Sequence, residues 1–163
     1  MESSYSVKRV IIPAMLVAVT VAISRMFIIP VPMTHGYINL CDAGIAIAAI
    51  LYGKRDGLIV GGLSGFLLDL ISGYANYMFF SLIVHGLEGF IFGWLGYNKS
   101  RKMQILAMVL GAAFMVFGYF VTDSILYKIP TGLAGVPMNI VQGIVGVVIG
   151  LPLGLRLKKT LKL

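Results

Sequence analysis

The sequence predicts an all-α integral membrane protein: six transmembrane helices in one compact bundle, both termini cytoplasmic. Three observations carry this reading. Of 163 residues, 59% are hydrophobic and 12% charged, with a mean hydropathy of +0.96. A soluble domain carries about 25% charged residues, so this chain cannot cover a globule with polar surface. The apolar residues form continuous runs rather than alternating with period two, which disfavours a β-barrel. Finally, the basic residues between the runs fall on alternating sides, as membrane topology requires.

A helix crossing the hydrocarbon core needs about 20 residues. The chain is therefore expected to be a single transmembrane domain over 1–163, without room for an ATPase cassette, a kinase fold or a Rossmann unit. Energy for uphill movement would come from an ion gradient or a partner chain. The lone cysteine, Cys41, excludes an internal disulfide and any multi-cysteine zinc or iron–sulfur site.

Apolar runs bounded by charge, Gly and Pro place the spans at about 10–29, 40–52, 57–72, 77–97, 103–127 and 136–157. The first follows Met-Glu-Ser-Ser-Tyr-Ser-Val-Lys-Arg and could be mistaken for a signal peptide. More spans follow it and Ile23 to Pro30 holds no convincing small-x-small cleavage site, so a retained helix is expected. Spans two and three are short. They are thin or tilted crossings or a re-entrant hairpin, and both readings stay open. With both termini inside, Lys8, Arg9, Lys54, Arg55, Lys99, Arg101, Lys102, Arg156, Lys158, Lys159 and Lys162 are cytoplasmic, against Arg25 and Lys128 outside. The net charge of +7 thus reads as orientation rather than as nucleic-acid binding.

On this topology the polar residues gather in the outer half. Asn39 and Asp42 open span two, Asp69 and Asn76 close span three, and Thr122 and Asp123 end span five. Asn139 and Gln142 open span six, and His85 and Glu88 lie roughly 12 to 17 Å down span four. An ionisable group at the bilayer centre costs about 2.5–3.5 kcal/mol even on the lenient insertion scale. Polar groups from five spans at similar depth therefore suggest one cavity, open outward and closed inward, that holds a small polar molecule.

Each signal also has a structural reading. His85 and Glu88, spaced i, i+3, either bond only each other or form one wall of a ligand site, Glu88 accepting from an amino or hydroxyl group and His85 orienting it. Asn139 and Gln142 repeat that spacing after Pro137, which suits a first helical turn. They are ligand contacts or interhelical glue. Asp42 is expected to cap span two, and Asp69 and Asp123 to pair with Arg25 or Lys128. Cys41 reads as an apolar filler.

Small residues recur every fourth position at Ala14, Ala18 and Ala22, at Gly57, Gly61 and Gly65, and at Gly146, Gly150 and Gly154. Such faces permit close helix approach. Most are expected to pack internally, and the face on span one is the best candidate for a partner helix. The segment 28–38 is a proline-stiffened outer loop, read either as a lid carrying His35 or Tyr37 or as a plain connector.

The stretches Gly36-Tyr-Ile-Asn-Leu-Cys-Asp-Ala-Gly, Leu51-Tyr-Gly-Lys-Arg-Asp-Gly, Gly61-Gly-Leu-Ser-Gly-Phe-Leu-Leu-Asp-Leu-Ile-Ser-Gly-Tyr, His85-Gly-Leu-Glu-Gly and Pro137-Met-Asn-Ile-Val-Gln resemble, as an ordered set, the substrate-binding S component of energy-coupling factor (ECF) vitamin transporters. The sequence looks most like the branch binding hydroxymethylpyrimidine, pyridoxine and riboflavin. Cys41 stands where that branch usually has glycine. The resemblance implies a six-helix, non-enzymatic subunit of a prokaryotic plasma membrane, working with a transmembrane coupling protein (T component) and two cytoplasmic ATPases, which alone use ATP. It implies no cofactor and no resident metal. It further implies that Ala14, Ala18 and Ala22 meet the coupling protein and that the loop with His35 and Tyr37 is a gate. Glu88, His85, Asn139 and Gln142 would contact the ligand, with Asn39, Asp42, Tyr74 and Tyr77 in second rank.

A vitamin-binding importer subunit is thus expected. Hydroxymethylpyrimidine or pyridoxine comes first and riboflavin next, because Glu88 favours a donor-bearing ligand and repels carboxylates. Two other classes are the alternatives. A small intramembrane enzyme using His85 and Glu88 lacks an aspartate-rich phosphate motif, a metal cluster or a nucleophile–base pair. A stand-alone ion-coupled transporter would need a polar inner path.

Overall fold

The computed structural model describes residues 2–163, with side chains from Val7 onward. Six helices follow in order: α1 (Glu2–Met26), α2 (Cys41–Tyr52), α3 (Lys54–Ser72), α4 (Met78–Gly96), α5 (Arg101–Leu126) and α6 (Ile129–Leu161). Between α1 and α2 the expected loop forms a two-stranded antiparallel hairpin, β1 (Ile29–Pro30) and β2 (Tyr37–Ile38), with Ile29 opposite Ile38 and Pro30 opposite Tyr37.

Four helical segments are long and apolar enough to cross a bilayer: Val7–Met26, α4, α5 and α6. α2 has 12 residues, about 18 Å of helix against a hydrocarbon core about 30 Å thick. α3 has 19 residues but opens with Lys54, Arg55 and Asp56. Exposed Val10, Met15, Val19, Phe79, Ile83, Val109, Phe117, Ile144 and Val148 give the bundle an apolar outer surface.

The helix ends differ from expectation in two places. α6 begins at Ile129 rather than near 136, because Pro130 occupies its first turn, where a missing N–H costs nothing. Pro137 therefore lies inside the helix rather than at its start, as does Pro152. Asp42 is not a cap. The N-cap of α2 is Leu40, without a side-chain bond. Asn39 Oδ1 instead accepts from the Cys41 N–H at 2.6 Å, which frees Asp42 to turn inward.

Glycine sets the tightest packing. α3 and α4 meet backbone to backbone: a methyl at Gly61 would collide with the His85 carbonyl, and one at Gly57 with the Gly89 carbonyl. α6 approaches α2 in the same way, Gly146 against Asp42 and Gly150 against the Ala43 carbonyl. These two faces are spent inside the bundle. The α1 face is not: Ala14, Ala18 and Ala22 are all exposed. Cys41, Ile45, Ala46, Ala49, Ile50, Leu68, Phe92, Met108 and Leu151 form the core between these contacts. At the end of the bundle remote from the hairpin, the Lys158 ammonium donates to the Ile50 carbonyl (3.0 Å) and to Asn98 Oδ1 (2.7 Å). It thereby satisfies a carbonyl in the last turn of α2, where a cation is favoured.

Candidate functional site

Helical spacing puts one polar face of each of four helices on a common cavity. α3 contributes Gly65, Leu68 and Asp69, α4 contributes His85, α5 contributes Tyr119 and Asp123, and α6 contributes Gly135, Asn139 and Gln142. The hairpin supplies Val31, Thr34, Gly36 and Tyr37 from above, with Asn39 and Tyr77 at the edge. About 30 Å³ is free between these walls, room for a water or two.

Two tyrosine–aspartate pairs draw the walls together. The Tyr37 hydroxyl donates to Asp69 Oδ1 at 2.8 Å, joining β2 to α3. The Tyr77 hydroxyl donates to Asp123 Oδ1 at 2.5 Å, joining the start of α4 to α5. Burial, with the Asp69 charge beside it, pushes the Tyr37 hydroxyl far above its ordinary value, so it stays protonated and donates. Tyr74 does not line the cavity but packs on Tyr37 with ring centroids 4.3 Å apart. His35 is likewise outside it, exposed and stacked on Tyr127 at 4.3 Å. Of the two expected lid residues, only Tyr37 reaches the cavity.

Below lies a cluster from three helices. His85 Nδ1 is 2.8 Å from Glu88 Oε2 and 3.5 Å from Asp42 Oδ1. Facing two carboxylates, Nδ1 carries the proton, and the rest of the imidazole is left for the cavity. Glu88, at 0% exposure, sits behind His85 rather than on the cavity wall, and Asp42 is similarly buried. Gln142 Nε2 donates to Asp42 Oδ1 at 3.1 Å while its Oε1 accepts from the Asn39 N–H at 2.7 Å. The amide is thereby fixed in one orientation between α2 and α6. Asp42 Oδ2, Asp69 Oδ2 and Glu88 Oε1 have no hydrogen-bond partner. A buried polar atom left so costs about 1–3 kcal/mol, and these three oxygens are spare acceptors in and under the cavity.

The expected residues that line the cavity are thus His85, Asn139, Gln142, Asn39, Tyr77 and Tyr37. Glu88 and Asp42 lie one layer behind, and Tyr74 is at the side. Asp69 and Asp123 do not pair with Arg25 or Lys128. Among the described residues the only acid–base side-chain contacts within 4 Å are those of His85, and both aspartates turn to tyrosines instead. Their place on the cavity was readable as Gly65/Asp69 and Tyr119/Asp123, each spaced i, i+4 on a face shared with other polar groups. Asp42, His85 and Glu88 also form a group with metal-ligand chemistry, their donor atoms within 4.8 Å of one another. Sequence spacing could not reveal it, since Asp42 comes from a different helix. In this arrangement His85 Nδ1 is engaged with Glu88, and with Gln142 on Asp42 the side chains form one hydrogen-bonded cluster.

Comparison with known proteins agrees with this architecture. Residues 4–159 match the family described as ECF-type riboflavin transporter, S component. The chain is 39% identical over 156 residues to the thiamine precursor transporter HmpT of Lactococcus lactis subsp. cremoris (strain MG1363), covering 95% of this chain and 90% of the relative. It is 37% identical over 141 residues to an uncharacterized protein in the gap 3′ region of Pyrococcus woesei, covering 85% and 95% respectively. A polar cavity walled by four helices and lidded by a hairpin is what a substrate-binding membrane subunit requires, and the chain belongs to the ECF-type riboflavin transporter S component family.

Proposed function

We propose that this chain captures hydroxymethylpyrimidine, the aminopyrimidine half of thiamine, and delivers it inward with a transmembrane coupling protein and two ATPases. The observation that carries the ligand assignment is the charge of the lining. Asp69 and Asp123 face the cavity and no Lys or Arg does. Such a site favours a neutral or cationic molecule rich in donors and repels phosphate and carboxylate groups. A ring amino group and a hydroxymethyl group supply those donors. The ring nitrogens accept, and Asn139 and Gln142 carry amide N–H groups to meet them. The likeness to a thiamine precursor transporter supports the same ligand. A single ring also demands less widening of a cavity with about 30 Å³ free than three fused rings would, which places pyridoxine ahead of riboflavin as the second choice. Entry requires the Tyr37–Asp69 and Tyr77–Asp123 bonds to yield, and the ligand's donors replace the tyrosine hydroxyls on the two carboxylates.

In this reading the chain crosses the membrane six times with both termini cytoplasmic. The eleven-to-two distribution of Lys and Arg supports that orientation, and α2 and α3 are then two short crossings beside four long ones. The cavity then opens to the outside of a prokaryotic plasma membrane, and the exposed alanines of α1 face the coupling protein.

The charge claim is tested by competition. Hydroxymethylpyrimidine phosphate is expected to bind at least about 100-fold more weakly than the free alcohol, the cost of placing a dianion beside two carboxylates without a counter-cation. Equal affinities in a calorimetric titration would remove the assignment.

A further inference from the structure

At the end of the bundle remote from the hairpin, a second cleft of about 160 Å³ lies between α1 and the α2–α3 turn. It is lined by Lys8, Arg9, Ile12, Pro13, Tyr52, Arg55 and Asp56. We propose that this cleft binds the headgroup of an anionic phospholipid bearing free hydroxyls, of the phosphatidylglycerol type.

Several independent features meet here. Lys8, Arg9 and Arg55 are exposed, and none forms an ion pair among the described residues. Three cations against the single Asp56 leave the cleft with a net charge of about +2. Lys54, by contrast, points away over the Phe90 ring, 5.9 Å from its centroid. The N-terminus of α3 opens beside Arg55 without a side-chain cap, so its first N–H groups and dipole add to the attraction for an anion. The phosphate of a lipid headgroup fits this set, and Arg9 and Arg55 suit it by bidentate geometry.

Two further groups select hydroxyls. Pro13 lies inside α1 and has no N–H, so the Arg9 carbonyl lacks its helical donor. Arg9 itself lines the cleft. The Asp56 carboxylate is a second acceptor on the same cleft. Glycerol hydroxyls satisfy both, which a choline headgroup cannot do. The acyl chains then leave past Ile12, which lines the cleft, onto the exposed apolar face of α1 that carries Ile11 (49% exposed) and Met15 (62%). A free anion would gain nothing from that surface.

The test uses the full chain in detergent and reads thermal unfolding while dioctanoyl-phosphatidylglycerol, dioctanoyl-phosphatidylcholine or inorganic phosphate is titrated. Phosphatidylglycerol is expected to stabilise the protein at concentrations at least about tenfold lower than phosphatidylcholine. Combining Lys8→Gln, Arg9→Gln and Arg55→Gln should raise the phosphatidylglycerol requirement at least about tenfold. A control combining Lys99→Gln, Arg101→Gln and Lys102→Gln removes the same charge elsewhere and should respond like the parent. If the cleft triple variant does not melt cooperatively, Arg55→Gln alone should still raise the requirement about threefold. Equal responses to the two lipids, or an unchanged response in the cleft variants, would overturn the site. Inorganic phosphate matching phosphatidylglycerol would overturn the lipid as its occupant. None of these readouts depends on the vitamin bound at the other end.

Discussion

Replacing His85 by alanine is expected to lower hydroxymethylpyrimidine affinity by about 10- to 100-fold, and Glu88→Gln by clearly less. His85 lines the cavity, and leaving a buried polar group without its partner costs about 1–3 kcal/mol. Glu88 does not line the cavity and lies behind His85, whose Nδ1 is 2.8 Å from its Oε2. Glutamine can still accept that N–H, so the ring keeps its orientation. His85→Ala also leaves Glu88 Oε2 without its hydrogen-bond partner in a buried site, and stability should fall by about 1–3 kcal/mol. Calorimetric titration of both variants, with thermal unfolding alongside, gives the order directly. A larger loss of binding in Glu88→Gln than in His85→Ala would mean that Glu88 touches the ligand itself.

Ala18→Leu is expected to leave ligand affinity within about twofold of the parent and to reduce uptake to background in cells supplying the coupling protein and ATPases. Ala18 is exposed on α1 between Ala14 and Ala22, so leucine displaces nothing within the subunit, and an exposed change of this kind costs within about 0.5 kcal/mol of stability. Its bulk instead prevents the close helix approach that small residues allow. Full uptake by the variant would place the docking surface elsewhere. The contrast with Gly61 and Gly146 is instructive. All three faces have the same four-residue spacing in the sequence, yet two are consumed within the bundle and one is bare.

That contrast marks how far the sequence could be read. The helices were legible because apolar runs and punctuation are local properties. α5 starts at Arg101 with Ser100 accepting from the Met103 N–H, as its capping residue suggests. α6 begins seven residues before the expected span because Pro137 reads as a start signal, when Pro130 already supplies one. In the site, His85, Asn139 and Gln142 were legible as polar residues on otherwise apolar helices. The partners of Asp69 and Asp123 were not. An intramembrane aspartate calls for compensation, and both salt bridges and tyrosine hydroxyls provide it. Only the fold brings Tyr37 to Asp69, 32 residues apart, and Tyr77 to Asp123, 46 apart. The demotion of Glu88 to a position behind His85 has the same origin. An i, i+3 pair shares a face, but helix rotation decides which member meets the cavity.

The capture of an uncharged, donor-rich aminopyrimidine by a site walled with carboxylates is tested most directly by titrating the purified full chain with hydroxymethylpyrimidine in a calorimeter. One ligand per chain, with a dissociation constant below about 1 µM, or at least about 8 kcal/mol of binding free energy, is the predicted result. No binding of hydroxymethylpyrimidine by protein that binds riboflavin or an anionic vitamin would contradict it.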